Sequence, residues 1–210
     1  METEDAIRGR ISAGSFDAER GIDEETLREL VALACRAPST YNLQSWRFVL
    51  VRDAQARLSL ADLAGGEQRL ADAPAVFVVL GDLRASEDLA RALTPSVERG
   101  DLDEAAAKAW TASASQLFSE PRRARDEAVR ASSMAAMGLM VAATDRGLAS
   151  FATAVFDVDR LREQFEIANR YVPTVLVALG HPSPGDSKRQ KVRRGLGEVL
   201  VEETGRELAD

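Results

Sequence analysis

Four groups of polar residues could do chemistry in this chain of 210 residues. Arg8, Arg10 and Ser12 lie close together near the N-terminus. Ser39, Thr40, Asn42 and Gln44 crowd a short segment between two apolar stretches. Arg69 precedes an apolar run, and Lys191, Arg193 and Arg194 gather in a basic tail. Taken singly, each suits a solvated turn. Together they suit a ligand with an anionic end and a planar hydrogen-bonding end. Arginine and serine hold phosphate through charge-assisted hydrogen bonds. Asparagine and glutamine amides serve both the donor and the acceptor edges of a heterocycle.

Other chemistries lack their residues. There is no GxGxxG opening a βαβ unit, no P-loop and no GxSxG elbow, and Gly195 and Gly197 form only a bare GxG. A single histidine, His181, cannot build a His-rich metal site, and the lone Cys35 cannot form an internal disulfide. Asp101, Asp103 and Glu104 precede an Ala-rich helical segment and read as a cap rather than a catalytic carboxylate pair. The net charge of −7 disfavours nucleic acid. No apolar run reaches the ~18 residues of a membrane span. The acidic start Met-Glu-Thr-Glu-Asp reads as no signal peptide, so the expected location is cytoplasmic.

The elements that must position these residues read as follows. A short helix ends near Ser12. Asp23 caps a helix through about Ala37, with Leu27, Leu30, Val31, Ala34 and Cys35 on its buried face. Pro38 ends that helix, and Ser39–Gln44 is a loop. Trp46–Val51 is a strand, with Arg47 on an exposed face, and Ala54–Leu63 is a helix. Ala75–Leu80 is a continuous apolar run, as for a strand covered on both faces. Residues 84–93 and 100–118 read as helices. A long helix from Arg122 to Arg146 is apolar on almost every side in its second half, which places it in a core or a subunit interface. Residues 149–155 read as a strand, 157–166 as a helix, 172–180 as a buried strand and 198–201 as a terminal strand. Strands separated by helices, with no linker or repeat, predict one α+β domain over residues 1–210: a mixed central sheet flanked by helices in three α/β/α layers.

Ala37-Pro38-Ser39-Thr40-Tyr41-Asn42-Leu43-Gln44-Ser45-Trp46-Arg47-Phe48 resembles the APS-x-x-N-x-Q-P-W-x-F signature of the flavin-dependent nitroreductase family. Arg10 to Phe16 resembles that family's RRS-x-R-x-F segment. Residues 133–157 resemble its dimer-core helix and flavin-edge strand, and Val172 to Gly180 its last core strand. Lys191 to Glu198 resembles its K-x-R-x-P-L-x-E tail. The pieces follow in the family's order along almost the whole chain. The NLQ loop, Arg125 to Arg130 and Leu80-Gly81-Asp82 are similar to the methylhydroquinone-resistance subgroup.

The resemblance implies a homodimer with two FMN sites at the subunit interface. It assigns Arg10, Ser12, Arg193 and Lys191 to the FMN phosphate. Ser39 and Thr40 fall beside the phosphate and ribityl chain, and Asn42 and Gln44 near the flavin. Arg69 falls at the pyrimidine edge, where a cation would favour the anionic reduced flavin. Thr153, Ala154 and Val155 match the strand whose amides approach N5. The implied activity is a two-step, ping-pong hydride transfer from NADH or NADPH through flavin N5 to a quinone or nitroaromatic, with no protein acid or base. Ile11 and Gly14 replace basic residues of the N-terminal motif, Ser45 and Ala152 replace prolines, Val155 replaces a glycine and Gly195 replaces the tail proline. These departures leave room for a flavin-storing or flavin-sensing protein with little turnover. Related flavin-remodelling or dehalogenating activities, and a cofactor-free scaffold, are the remaining readings. The carry-over also predicts that Arg10→Ala weakens FMN retention more than Arg47→Ala.

Overall fold

Local chemistry sets the helix starts. In a computed structural model that describes residues 2–186 and 189–201, four aspartates act as N-caps, each accepting a backbone N–H three residues on. Asp23 accepts from Thr26 at 2.7 Å, Asp53 from Ala56 at 2.9 Å, Asp103 from Ala106 at 2.7 Å and Asp157 from Arg160 at 3.0 Å. Each such cap contributes about 1 kcal/mol. They open α2 (Glu24–Ala34), α3 (Ala54–Leu63), α6 (Glu104–Phe118) and α8 (Val158–Gln164). The remaining helices are α1 (Thr3–Gly9), α4 (Gln68–Asp72), α5 (Leu89–Glu98), α7 (Pro121–Asp145) and the single turn α9 (Leu196–Val199).

Four strands form one sheet: β1 (Trp46–Val51), β2 (Ala75–Asp82), β3 (Ala149–Thr153) and β4 (Tyr171–Gly180), in the order β1-β2-β4-β3. All three ladders are antiparallel. The sheet expected to be mixed is thus antiparallel throughout, and among the described residues parallel pairing is confined to a bridge between Ser12 and Ser150. All eight residues of β2 are buried. One sheet face carries Val76, Val78, Leu80, Leu176 and Phe151 against Leu60, Leu63, Leu70 and Leu161 of α3, α4 and α8. The other carries Phe77, Val79, Val177 and Leu179 against Leu27 and Leu30 of α2 and Leu139 of α7. The result is the expected α/β/α arrangement in three layers. A third cluster, with Leu43, Leu89, Leu93 and Ala114, holds the α5–α6 hairpin.

Several boundaries differ from the sequence reading. The helix expected over 100–118 starts at Glu104, because Gly100 in the left-handed region closes α5 and Asp103 then caps α6. The terminal strand expected over 198–201 is instead the turn α9, where the Glu198 carboxylate accepts the Gly195 N–H at 2.8 Å. Within the single chain, one side of α7 is left uncovered, the side the sequence reading gave to a core or a subunit interface. Its buried seam is mostly alanine, with Ser132 and Leu139, while Met137 is exposed and Met134 and Met140 are half-buried. Small residues let the helix lie close to the sheet; Met137 is turned outward, while Met140 packs against the core shared by α2 and the sheet. No helix among the described residues is long and apolar enough to cross a membrane.

That close approach is testable at Gly81. A Cβ there would stand 2.7 Å from the Ala128 carbonyl oxygen, and a backbone neighbour cannot move aside. Gly81→Ala should cost about 2 kcal/mol or more, lowering Tm by roughly 4–8 °C. Gly21→Ala, which meets nothing within 4 Å, should leave Tm unchanged. A second test concerns acid. Burial pushes the His181 imidazole below its ordinary pKa, the nearby Arg20 adds to this and Asp17 opposes it. The unfolded chain therefore takes up the proton first. This share of stability is complete above about pH 6.5 and is lost as pH falls below it. Urea unfolding at pH 7.5 and 5.5 should show a smaller pH dependence for His181→Gln.

Candidate functional site

The cationic group assembles at the outer edge of β3. The Ser12 bridge to Ser150, with the Ala13 N–H donating to the Ser150 carbonyl at 2.8 Å, lays the N-terminal segment beside the strand. Phe151 points to the face carrying α4, and the Arg69 guanidinium stacks 3.6 Å above its ring. Arg69 donates through Nε and Nη2 to Glu67, both at 2.6 Å, and through Nη1 to the Ala13 carbonyl at 3.2 Å. Its charge is thus matched and its orientation fixed. A cleft of about 230 Å³ opens here, lined by Ser12, Arg69, Phe151, Arg189, Gln190, Lys191 and Arg193. Arg189, Lys191 and Arg193 are exposed and make no ion pair among the described residues. With Glu67 cancelling Arg69, these three leave the cleft with positive charge to offer an anion such as phosphate.

Arg10 ends α1 half-buried and is not among the residues lining this cleft. Beyond Ser12, the N–H groups of Gly14 and Ser15 donate to Asp186 at 2.7 and 3.4 Å. Thr153 lies two residues beyond Phe151 on the same face of β3. Its hydroxyl accepts the Val155 N–H at 3.1 Å, while Ala154 and Val155 are exposed.

The amide group is a strained loop. Tyr41, Asn42 and Gln44 have φ of 53°, 55° and 48°, the left-handed region that costs a non-glycine residue about 1–2 kcal/mol. Tethers at several points hold it. The Ser39 hydroxyl accepts the Gln44 N–H at 2.9 Å, and the Thr40 hydroxyl donates to Glu127 of α7 at 2.7 Å. Leu43 is buried under the α5–α6 hairpin, and Tyr41 packs 6.1 Å from Trp110, ring to ring. Trp110 and Phe118 are therefore packing residues of this cluster. Asn42 is left exposed, and the Gln44 side chain is held only by a long 3.5 Å contact to the Asn42 carbonyl.

The two groups do not meet within one chain. The loop enters β1 opposite Gly81, whereas Ser150 pairs with Leu179, which stands opposite Ala75 at the other end of β2. β1 and β3 are the two outer strands. At usual strand spacing and rise, these diagonal corners lie roughly 25 Å apart.

Arg47 stands on the exposed face of β1, as expected, but with partners the sequence did not show. Its side chain is 44% exposed, yet it is not a free surface residue. Nη2 pairs at 3.1 Å with Asp82, whose side chain is fully buried. Nη1 donates to the Gln44 and Trp46 carbonyls at 3.2 and 2.7 Å. Asp82 also receives Nε and Nη2 of Arg170 at 2.7 and 2.9 Å and the Arg84 N–H at 3.0 Å. The bond to Asp82 holds the Arg170 guanidinium charged well above its ordinary pKa, and Arg170 in turn lowers the pKa of Asp88. The sequence reading missed Asp82, Glu67, Phe151, Arg189 and Gln190. Only Asp82 left a trace, as a carboxylate ending an otherwise apolar strand.

A family model described as the nitroreductase family matches residues 7–181. YodC of Bacillus subtilis, assigned by name to the NAD(P)H nitroreductases, is 31% identical over 178 residues, covering 85% of this chain and 88% of its own. Protein DrgA of Synechocystis is 32% identical over 205 residues, 95% of each chain. A nitroreductase-type protein of Exiguobacterium sibiricum, solved in complex with FMN, superposes with a TM-score of 0.89 at 24% identity, over 97% of this chain and 98% of that one.

The division between matched and unmatched cations can be tested by stability. Replacing Lys191 and Arg193 together by alanine should change unfolding free energy by no more than about 0.5 kcal/mol. Arg69→Ala, which removes one partner of Glu67 and the contacts to the Ala13 carbonyl and the Phe151 ring, should cost about 1–3 kcal/mol. Chemical denaturation of both variants decides.

Proposed function

The chain belongs to the nitroreductase family, and on that premise we propose that it is an FMN-dependent oxidoreductase that uses NADH or NADPH to reduce quinones or nitroaromatic compounds in two half-reactions. The observation that carries this reading is the cationic cleft at the β3 edge, with Ser12, Lys191 and Arg193 around Phe151 and Arg69. Its donor set fits a phosphate dianion, because three cations without an ion pair among the described residues and a hydroxyl can surround it. Ser12, Lys191, Arg193 and Arg189 would hold the FMN phosphate. Arg10 is assigned there by resemblance alone. Arg69, held by Glu67 and Phe151, would stand at the pyrimidine edge as a fixed guanidinium whose charge Glu67 largely offsets, with Thr153 and Ala154 beside the N5 edge. When bound, FMN supplies the two-electron chemistry. The protein's part is to bind, to orient and to exclude water.

The amides of Asn42 and Gln44 would serve the heterocycle, and Ser39 and Thr40 the phosphate and ribityl chain, but all four stand at the opposite corner of the sheet. A homodimer resolves this, with the loop of one protomer facing the cleft of its partner. Ile7, Leu33 and Met137, on α1, α2 and α7, are large apolar side chains left exposed on the single chain. Burying them against a second copy would stabilise such a pair. The proposed setting is the cytoplasm.

A second reading, flavin storage or sensing, draws on the departures at Ile11, Gly14 and Val155. The N–H of Gly14 is taken by Asp186, a carboxylate, where the family pattern has a basic residue. Val155 puts an exposed side chain where the pattern has glycine.

Purified protein loaded with FMN and desalted should keep its visible flavin band, and NADH or NADPH should bleach that band in the absence of air. A band that is kept but not bleached would favour storage. Loss of the band from the wild type would contradict both readings. Arg193→Ala should weaken FMN affinity about 10- to 100-fold, since a charged hydrogen bond contributes about 1.5–3 kcal/mol. Arg99→Ala, paired on the surface with Asp101, should have no effect.

A further inference from the structure

The Asp82 cluster lies outside the cationic cleft, yet one of its limbs ends on the amide loop. Asp82 is a fully buried carboxylate at the end of β2 and receives two guanidinium groups. The Arg170 limb leads away, toward Asp88 at 3.1 Å and the start of α5. The Arg47 limb leads to the loop. One terminal nitrogen of Arg47 is held by Asp82, and the other donates to the carbonyls of Gln44 and Trp46. Next to them the Asp82 N–H donates to the Ser45 carbonyl at 2.8 Å, so the backbone of residues 44–46 is gripped by one buried hub.

Gln44 needs that grip. At a φ of 48° its own steric preference is to leave the left-handed region, which would turn its amide and that of Asn42 away from their present directions. Ser39 holds the Gln44 N–H and Arg47 holds the Gln44 carbonyl, so the residue is restrained from both sides. Buried Asp82 fixes the guanidinium plane, and a planar fork can serve the carboxylate and the carbonyls at once where an ammonium point charge cannot.

We infer that Arg47 is a positioning residue for the cofactor: oriented by Asp82, it locks the Gln44 backbone in the left-handed conformation that presents the loop's amides to FMN. This rests on the FMN reading above. The role is carried through the loop, with no contact between Arg47 and the reacting atoms.

The test compares FMN dissociation constants, from quenching of flavin fluorescence, with the Tm of the FMN-free protein for wild type, Arg47→Met, Arg47→Lys and Arg170→Lys. Arg47→Met should lose at least tenfold in affinity, and Arg47→Lys about threefold to tenfold. Arg170→Lys, which weakens the limb leading away from the loop, should lower Tm more than Arg47→Met while keeping affinity within threefold of wild type. Arg47→Met within twofold of wild type would overturn the inference. So would affinity losses that follow Tm across all three variants, which would make the cluster a support of the fold alone. If Arg47→Met does not fold, Arg47→Lys at wild-type affinity serves as the contradicting result. A wild type that binds no FMN would instead remove the reading on which the inference rests.

Discussion

Strand β2 is buried along its whole length, between antiparallel neighbours and beneath helices on both faces. A strand in that position has no room for a solvated polar site, since an unpaired polar group there would cost several kcal/mol. Polar chemistry is displaced to the ends of the strands and the two outer edges of the sheet. The cationic cleft lies at one corner, beside β3, and the amide loop lies at the diagonal corner, ahead of β1. Their separation follows from strand order and register, and it makes a second copy of the chain the simplest way to bring the two halves onto one ligand.

The two corners are built by opposite means. At the β3 edge, one arginine is neutralised and locked against an aromatic ring, while the basic residues of the tail stay exposed. That leaves charge to spend on an anion in a chain that is acidic overall. At the β1 corner, backbone strain is held by ties to α7, to the α5–α6 hairpin and to Arg47. A buried carboxylate with two guanidinium partners is a weak source of net stability, because desolvation offsets most of the attraction. Its directional hold on the neighbouring backbone is what a strained loop can use.

Much of the fold was legible because it is written in local patterns. The apolar runs at Trp46–Val51 and Ala75–Leu80 and the caps at Asp23 and Asp103 depend on neighbours a few positions away. The site was legible only in part. Ser12, Arg69, Lys191 and Arg193 are brought to one cleft, although nothing in their spacing says so. Arg10, close to Ser12 in sequence, does not line that cleft. Arg47 shows the same limit: alternation along the strand gave its exposed face correctly, but not that Asp82, Arg170 and the Gln44 carbonyl converge there. Those contacts join residues many tens of positions apart and depend on the completed sheet. The methionines of α7 show another limit, since an apolar helix reads alike whether its outer side meets the core or another subunit.

The central claim is that each cofactor site takes its phosphate half from one chain and its amide half from another. Heterodimers made by co-expressing Arg193→Ala and Asn42→Ala chains under different tags test it directly. In such a pair one site carries both defects and the other carries neither. Homodimers of either variant should bind FMN weakly, while the heterodimer should bind about one FMN per pair with wild-type affinity. A heterodimer that binds FMN no better than its parents would place both halves of the site on one chain and contradict the claim.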